Sequence, residues 1–307
     1  MLVVAALGGN ALLRRGQDLT AGNQRENARI AAQALARVLR AGHDLVITHG
    51  NGPQVGLLAL QGLAHRPDHA YPLDILGAET EGMIGYLIEQ ELENAMDHAR
   101  TVATLLTQVL VDAGDPAFAA PTKFVGPVYE KEEAEAMAER NGWTVAADGA
   151  HWRRVVASPA PLEIPDLKVI RQLVQHGTIV ICAGGGGIPV VKQPDGSLAG
   201  VEAVIDKDAV SALLAEGLGA DGLVMLTDVS GIMRDFGTDA AERIAHMTPE
   251  EATAMDLPEG SMGPKAAAAA RFAASASGRW AAIGSLGDAD ALVRGEAGSR
   301  IASAPAG

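Results

Sequence analysis

Six of the twenty-four basic residues in this chain are lysines, and three of those six stand where a compact positive charge could do chemistry. Arginine is the general choice here, so a retained lysine marks a need for a mobile point charge that a planar guanidinium cannot imitate. Lys131 and Lys168 lie in charged, helix-like surroundings and Lys192 in a hairpin, which reads as solvated surface. Lys123 (A-P-T-K-F), Lys207 (I-D-K-D) and Lys265 (S-M-G-P-K) lie in turns bearing Pro or Gly and are the candidates. Asp208 is placed to cap the helix that follows and to hold Lys207 in position.

The elements that must position these lysines are strands ending in glycine. In residues 178–208 an apolar run, Ile179, Val180 and Ile181, hands over to four glycines, Gly184 to Gly187. Their N–H groups, those of Gly185 and Gly186 among them, can line an anion site, while the bland reading is a flexible hairpin loop. The same handover occurs where residues 2–7 meet Gly8, Gly9 and Asn10, and where residues 45–48 meet His49, Gly50, Asn51 and Gly52. Pro53 suits the first turn of a helix over 55–63, whose N-terminal N–H groups would face whatever the loop holds. Glycine makes up 36 of 307 residues, against a usual share of about 7%. Its clustering at these handovers, alternating with helices, points to a parallel sheet whose strand C-terminal ends share one crevice.

Size and charge narrow the classes. A chain of 307 residues suits one large α/β domain with an insertion. The net charge of −14, with no Lys/Arg block, argues against nucleic acid or an anionic membrane as partner. The single cysteine, Cys182, reads as a small core hydrophobe and fits a reduced, cytoplasmic setting. No export signal is read at the N-terminus.

Along the chain, the spacing predicts helices over 25–41, 74–96 (one helix, or two joined near Gly82 and Gly85), 130–140, 165–176, 209–217 and 264–276. Strands are expected over 102–111, over 223–226 and, last, over 280–283, with residues 303–307 as a frayed tail. Pro67 separates His65 from His69, so the two read as surface loop residues, and Glu79, Glu81, Glu89, Glu91 and Glu93 read as an exposed face. Residues 115–160 read as a small insertion of a helix and a hairpin, either a lid with Lys123 at its root or plain surface decoration. Asp228, at the end of a further strand, either caps or faces a ribose or base.

Glycine-bearing strand ends, three lysines and an aspartate beside one of them suit phosphoryl transfer, in which positioning and charge neutralisation dominate and the protein supplies no nucleophile. The sequence has no Ser-His-Asp set, no Cys-His set and no metal cluster, and it lacks both the G-x-x-x-x-G-K-[ST] loop and the protein-kinase signatures.

Eight blocks carry a family resemblance. They are L-G-G-N-A-L (7–12), H-G-N-G-P-Q-V-G (49–56), D-P-A-F with P-T-K and G-P (115–127), R-R-V-V-A-S-P (153–159), A-G-G-G-G-I-P-V (183–190), G-V-E-A-V-I-D-K-D (200–208), L-T-D-V (226–229) and G-S-M-G-P-K (260–265). In order, from residue 2 to about 301, these resemble the carbamate kinases within the amino-acid-kinase superfamily. The resemblance implies a single α/β domain over 1–302, an open three-layer α/β/α sandwich around a mainly parallel sheet of about eight strands, with a small protruding subdomain at 115–160 and a homodimeric assembly. It implies reversible phosphoryl transfer between carbamoyl phosphate and ADP, giving ATP and carbamate, with Mg²⁺ on the nucleotide. Gly8, Gly9 and Asn10 with Gly50, Asn51 and Gly52 would then hold the transferring phosphoryl and the carbamate end. Lys207 would bridge the oxygens, oriented by Asp208, with Lys123 reaching in from the subdomain. Lys265 would pair with nucleotide phosphates, and Thr227, Asp228, Met262 and Phe236 would border the nucleotide. Residues 231–236 depart from the tyrosine-containing G-V-Y-type segment expected at the adenine wall, and residues 149–152 match loosely. Two other readings stay open: another small-acid or phosphate kinase, which would lack the Pro121-Thr122-Lys123 insertion, and a nucleotide-binding sensor or storage protein without catalysis.

Overall fold

A computed structural model describes residues 1–14, 16–66, 70–238, 240–258 and 260–303, and the side chain of Asn10 lies outside the description. Eight strands form the main sheet, in the order His246–Met247, Ser299–Ala302, Trp280–Ser285, Gly222–Thr227, Leu2–Leu7, Asp44–His49, Ile179–Ile181 and Val102–Thr104. The six strands from Trp280–Ser285 to Val102–Thr104 run parallel. Ser299–Ala302 turns back against them, and His246–Met247 pairs parallel to it at the edge.

A parallel sheet is covered on both faces, so its strands read as continuous apolar runs. Alternate residues divide between two cores. Val4, Ala6, Val46, Val180, Leu223 and Met225 meet Ile170, Val210, Leu214 and Phe272, which come from the helices Leu167–Gln175, Lys207–Leu218 and Met262–Ala274. Val3, Ala5, Leu7, Ile47, Ile181 and Val224 meet Ala28, Leu35, Ile84, Ile88 and Leu292 of the helices Ala21–Arg40, Leu73–Ala95 and Ala289–Arg294. The result is the three-layer α/β/α sandwich, with each buried Val, Leu or Ile contributing roughly 1.5–3 kcal/mol.

Several boundaries differ from expectation. The first long helix begins at Ala21, four residues before the apolar periodicity, because Thr20 Oγ1 accepts the Asn23 N–H at 3.2 Å and starts it. The expected 102–111 strand is two strands in different sheets: Val102–Thr104 closes the main sheet, while Gln108–Val111 joins Leu198–Gly200, Ile188–Lys192 and Pro161–Glu163. Residues 73–95 form one helix, and Gly85 lets it press on the sheet edge, since a Cβ there would come within 2.2 Å of Thr104 Cγ2. Trp280–Ser285 is not the last strand; Ser299–Ala302 and the short His246–Met247 went unread because few-residue strands carry too little pattern. Glu81, expected on an exposed face, is buried at 1% exposure. His69 and residues 304–307 lie outside the described residues; His65 ends a helix in solvent.

Within 115–160, the strands Lys123–Tyr129, His151–Val156 and Thr144–Asp148 make a separate antiparallel sheet, accompanied by the helix Lys131–Asn141. Lys123–Tyr129 packs along the helix Gly52–His65. Among the described residues, no helix is long and apolar enough to cross a membrane.

Candidate active site

Leu7, His49, Ile181 and Thr227 end neighbouring parallel strands, so the loops that follow them open on the same rim. These loops touch. A Cβ on Gly50 would stand 3.0 Å from Gly9 N and 3.1 Å from Gly9 Cα, and one on Gly185 would fall within 2.0 Å of Asn51 Nδ2. Glycine is therefore required for the backbones to approach as they do. Gly185 lines the cleft. Gly186, expected beside it as an anion-binding amide, instead donates its N–H to Ala183 O at 3.2 Å and backs onto Ile205, so it shapes the loop from behind.

All three candidate lysines sit at the starts of regular elements rather than in loops. Lys207 opens the helix Lys207–Leu218, Lys265 lies in the first turns of Met262–Ala274, and Lys123 opens its strand. The helix at Lys207 is capped by Asp206, not by Asp208: Asp206 Oδ1 accepts the N–H groups of Asp208 and Ala209 at 2.9 and 3.0 Å. That leaves Asp208 free for a different task. Its Oδ1 takes Lys207 Nζ at 2.5 Å and its Oδ2 takes Lys265 Nζ at 2.9 Å. Burial pushes the Asp208 carboxyl upward, but the two ammonium groups outweigh it and hold the group at about 2. Asp206 Oδ2 in turn faces Lys123 Nζ at 3.3 Å. Three cations thus share two carboxylates, a local positive excess in a chain of net charge −14.

The cleft has two halves joined at Gly9, Gly260 and Lys265. One is lined by Gly50, Asn51, Gly52, Lys123, Gly185, Lys207 and Asp208. The other is lined by Gly8, Thr227, Asp228, Met262 and Phe236, the last 73% exposed. The structure therefore gathers the sequence candidates around one cleft, with Gly186 behind it; for Asn10 only the backbone, in the short helix Gly9–Leu12, is described. Thr227 Oγ1 donates to Asp228 Oδ1 at 3.2 Å.

Three contributors went unread. Asp206 was legible as the first acid of D-K-D, two residues before the one chosen as cap. Arg153, which lines the cleft, stood in a quoted motif without a role. Thr80, which receives Asn51 Nδ2 at 2.9 Å, gave no signal. Cys182 is buried, and burial first, then Glu81 and Asp166, raises its thiol, so it stays an inert core group. Among the described residues no three His, Cys, Asp or Glu side chains gather as a metal set.

An α/β/α sandwich whose parallel strands bring glycine loops and paired ammonium groups to one rim defines a phosphotransferase. Residues 1–280 match the family described as "Amino acid kinase family". The chain is 54% identical over 305 residues to a carbamate kinase of Rhizobium meliloti (strain 1021), covering 99% of this chain and 94% of that one. It is also 54% identical over 301 residues to one from Haemophilus influenzae, covering 98% and 96%. A solved carbamate kinase from Giardia lamblia bound to AMP-PNP superposes with a TM-score of 0.91 at 38% identity, over 98% of each chain. The chain belongs to the amino acid kinase family and, within it, to the carbamate kinases.

Proposed function

We infer that this chain catalyses reversible phosphoryl transfer from carbamoyl phosphate to ADP, giving ATP and carbamate, which breaks down to ammonia and CO₂. The observation that carries the reading is Asp208, whose two oxygens hold Lys207 and Lys265 at the junction of the two halves of the cleft. The bond from phosphorus to the carbamate oxygen breaks as a terminal ADP oxygen takes the phosphoryl group; the bonding pair and one negative charge leave on the carbamate oxygen, while the remaining charge to be neutralised lies on phosphate oxygens. Lys207, oriented by Asp208, bridges those oxygens. Lys123 approaches from the 115–160 subdomain, which acts as a lid, and Arg153 lines the same side. The backbone at Gly8, Gly9, Asn10, Gly50, Gly52 and Gly185, with the Asn51 side chain, cradles the transferring group and the carbamate end. Lys265 meets the nucleotide phosphates, Thr227, Asp228 and Met262 border the nucleoside, and the exposed Phe236 ring offers a face for the base.

The AMP-PNP held by the Giardia enzyme supports the use of a nucleotide by this chain. Mg²⁺ would enter with the nucleotide as part of the substrate and would supply charge neutralisation on its phosphates, while the Asp208 carboxylate is committed to the two lysines. A homodimer working in the cytoplasm belongs to the same proposal. The test is ATP formation from ADP with carbamoyl phosphate, with acetyl phosphate as the competing donor. Rapid ATP synthesis confined to carbamoyl phosphate is expected; equal or better use of acetyl phosphate would favour a different small-acid kinase.

A further inference from the structure

The helix Leu73–Ala95 carries two consecutive polar side chains sealed from solvent, Thr80 at 0% exposure and Glu81 at 1%. Thr80 Oγ1 donates to Gly77 O at 2.8 Å and accepts the Asn51 side-chain amide at 2.9 Å. Glu81 Oε2 accepts the backbone N–H of Thr107 at 2.8 Å, and the Gly184 backbone packs against the same side chain. Thr107 then accepts the Ala183 N–H on Oγ1 at 2.9 Å and the Ile188 N–H on its carbonyl at 2.8 Å. One step of one helix thus reaches the loops after two different strands. The fit leaves no slack: a Cβ on Gly184 would lie 2.3 Å from His49 Cε1 and 3.0 Å from Glu81 Cγ.

The carboxyl is also chemically unusual. No cation pairs with it among the described residues, and its Oε1 has no hydrogen-bond partner there. A charged carboxylate in that position would be costly, so the group stays protonated. Burial pushes it up to about 9, against the Thr107 N–H, which lowers it, and with Asp166, which raises it. The other titratable groups packed around it are neutral: His49, pushed down to about 4 by burial, with Lys207 beyond it, and the raised thiol of Cys182.

We propose that Thr80 and Glu81 form a positioning brace for the phosphoryl-transfer site, holding the 50–52 loop through Asn51 and the 183–187 loop through Thr107 and Gly184. Neither side chain touches the reacting groups; together they fix the spacing of the backbone amides that do. The proposal rests on the reading of the site given above. It implies that phosphoryl transfer needs Glu81 in its neutral form.

Steady-state kinetics of ATP formation across pH, with calorimetric ADP binding, on the full chain and its variants test this. E81Q keeps one accepting oxygen and cannot ionise, so it should hold kcat within about threefold at pH 7.5, while E81A lowers kcat by about thirtyfold or more with ADP affinity within about twofold. In the wild type kcat should fall along an alkaline limb near pH 9, and in E81Q that limb should move upward or vanish. T80V should lower kcat and T80S should restore it. Wild-type kcat in E81A, or the same alkaline limb in E81Q as in the wild type, overturns the brace. If E81A fails to fold, the E81Q pH profile and the Thr80 pair still decide. A wild-type chain that forms no ATP from carbamoyl phosphate would overturn the functional reading together with the brace; an active wild type with an indifferent E81A would sink the brace alone.

Discussion

Asp208 is the residue on which the charge arrangement turns, because one buried carboxylate fixes two ammonium groups that would otherwise repel each other across the cleft. Substitution by Asn keeps the shape and removes the charge. Lys207 and Lys265 then lose their common partner, and their positions relative to the transferring group drift. Asp208→Asn should lower kcat by about 100-fold, on the order of 2.7 kcal/mol, without weakening ADP binding, since Lys265 is released toward the nucleotide. Stopped coupled assays and calorimetry read both quantities. The lysines and Asp208 were legible in the sequence because an arginine-rich chain spares few lysines. The split of duties between two aspartates was not, since only coordinates tell whether a carboxylate turns back to cap its helix or forward to a neighbour.

At the scale of elements, the helix Lys207–Leu218 has to start at the right residue for Lys207 to point into the cleft, and Asp206 sets that start. The same carboxylate meets Lys123, so it also ties the 115–160 sheet to the helix. Asn is as good a cap as Asp but carries no charge. Asp206→Ala should therefore cost about 1 kcal/mol of stability, read as a lower thermal midpoint, whereas Asp206→Asn should keep the midpoint and change only the kinetic contribution of Lys123. The strand-to-glycine handovers at Gly8, Gly50 and Gly184 could be read because apolar runs ending in glycine are a local signal. Ser299–Ala302 and His246–Met247 could not, since their place in the sheet depends on partners far along the chain. Glu81 was misread for a related reason: periodicity placed a row of acids on one helix, and nothing local says that a second sheet and a glycine loop would cover one of them.

For the whole molecule, two buried titratable groups set opposite pH slopes. Glu81 sits near 9 when folded against an ordinary 4.5, so its contribution to stability is full below about 4.5 and is lost as pH rises through 9. His49 sits near 4 against an ordinary 6.5, so its contribution is full above about 6.5 and is lost as pH falls through 4. Between 4.5 and 6.5 the two slopes oppose, and the thermal midpoint should form a plateau there with declines on both sides. Thermal unfolding across pH checks this, and E81Q should flatten the decline above 6.5 and turn the plateau between 4.5 and 6.5 into a rise with pH, because the His49 slope is then unopposed. The layered sandwich was foreseeable from the alternation of apolar runs, glycines and helical spacing, and the family resemblance carried its strand number. What remained hidden was how the edge of the sheet is finished.

In the proposed function, Lys207 stands at the point where the phosphoryl group changes hands. The measurement that bears on this most directly is the rate of ATP formation from carbamoyl phosphate and ADP by Lys207→Ala, taken beside its ADP dissociation constant. A fall in turnover of about a thousandfold with ADP affinity nearly unchanged is the predicted result. Turnover equal to that of the unsubstituted chain would contradict it.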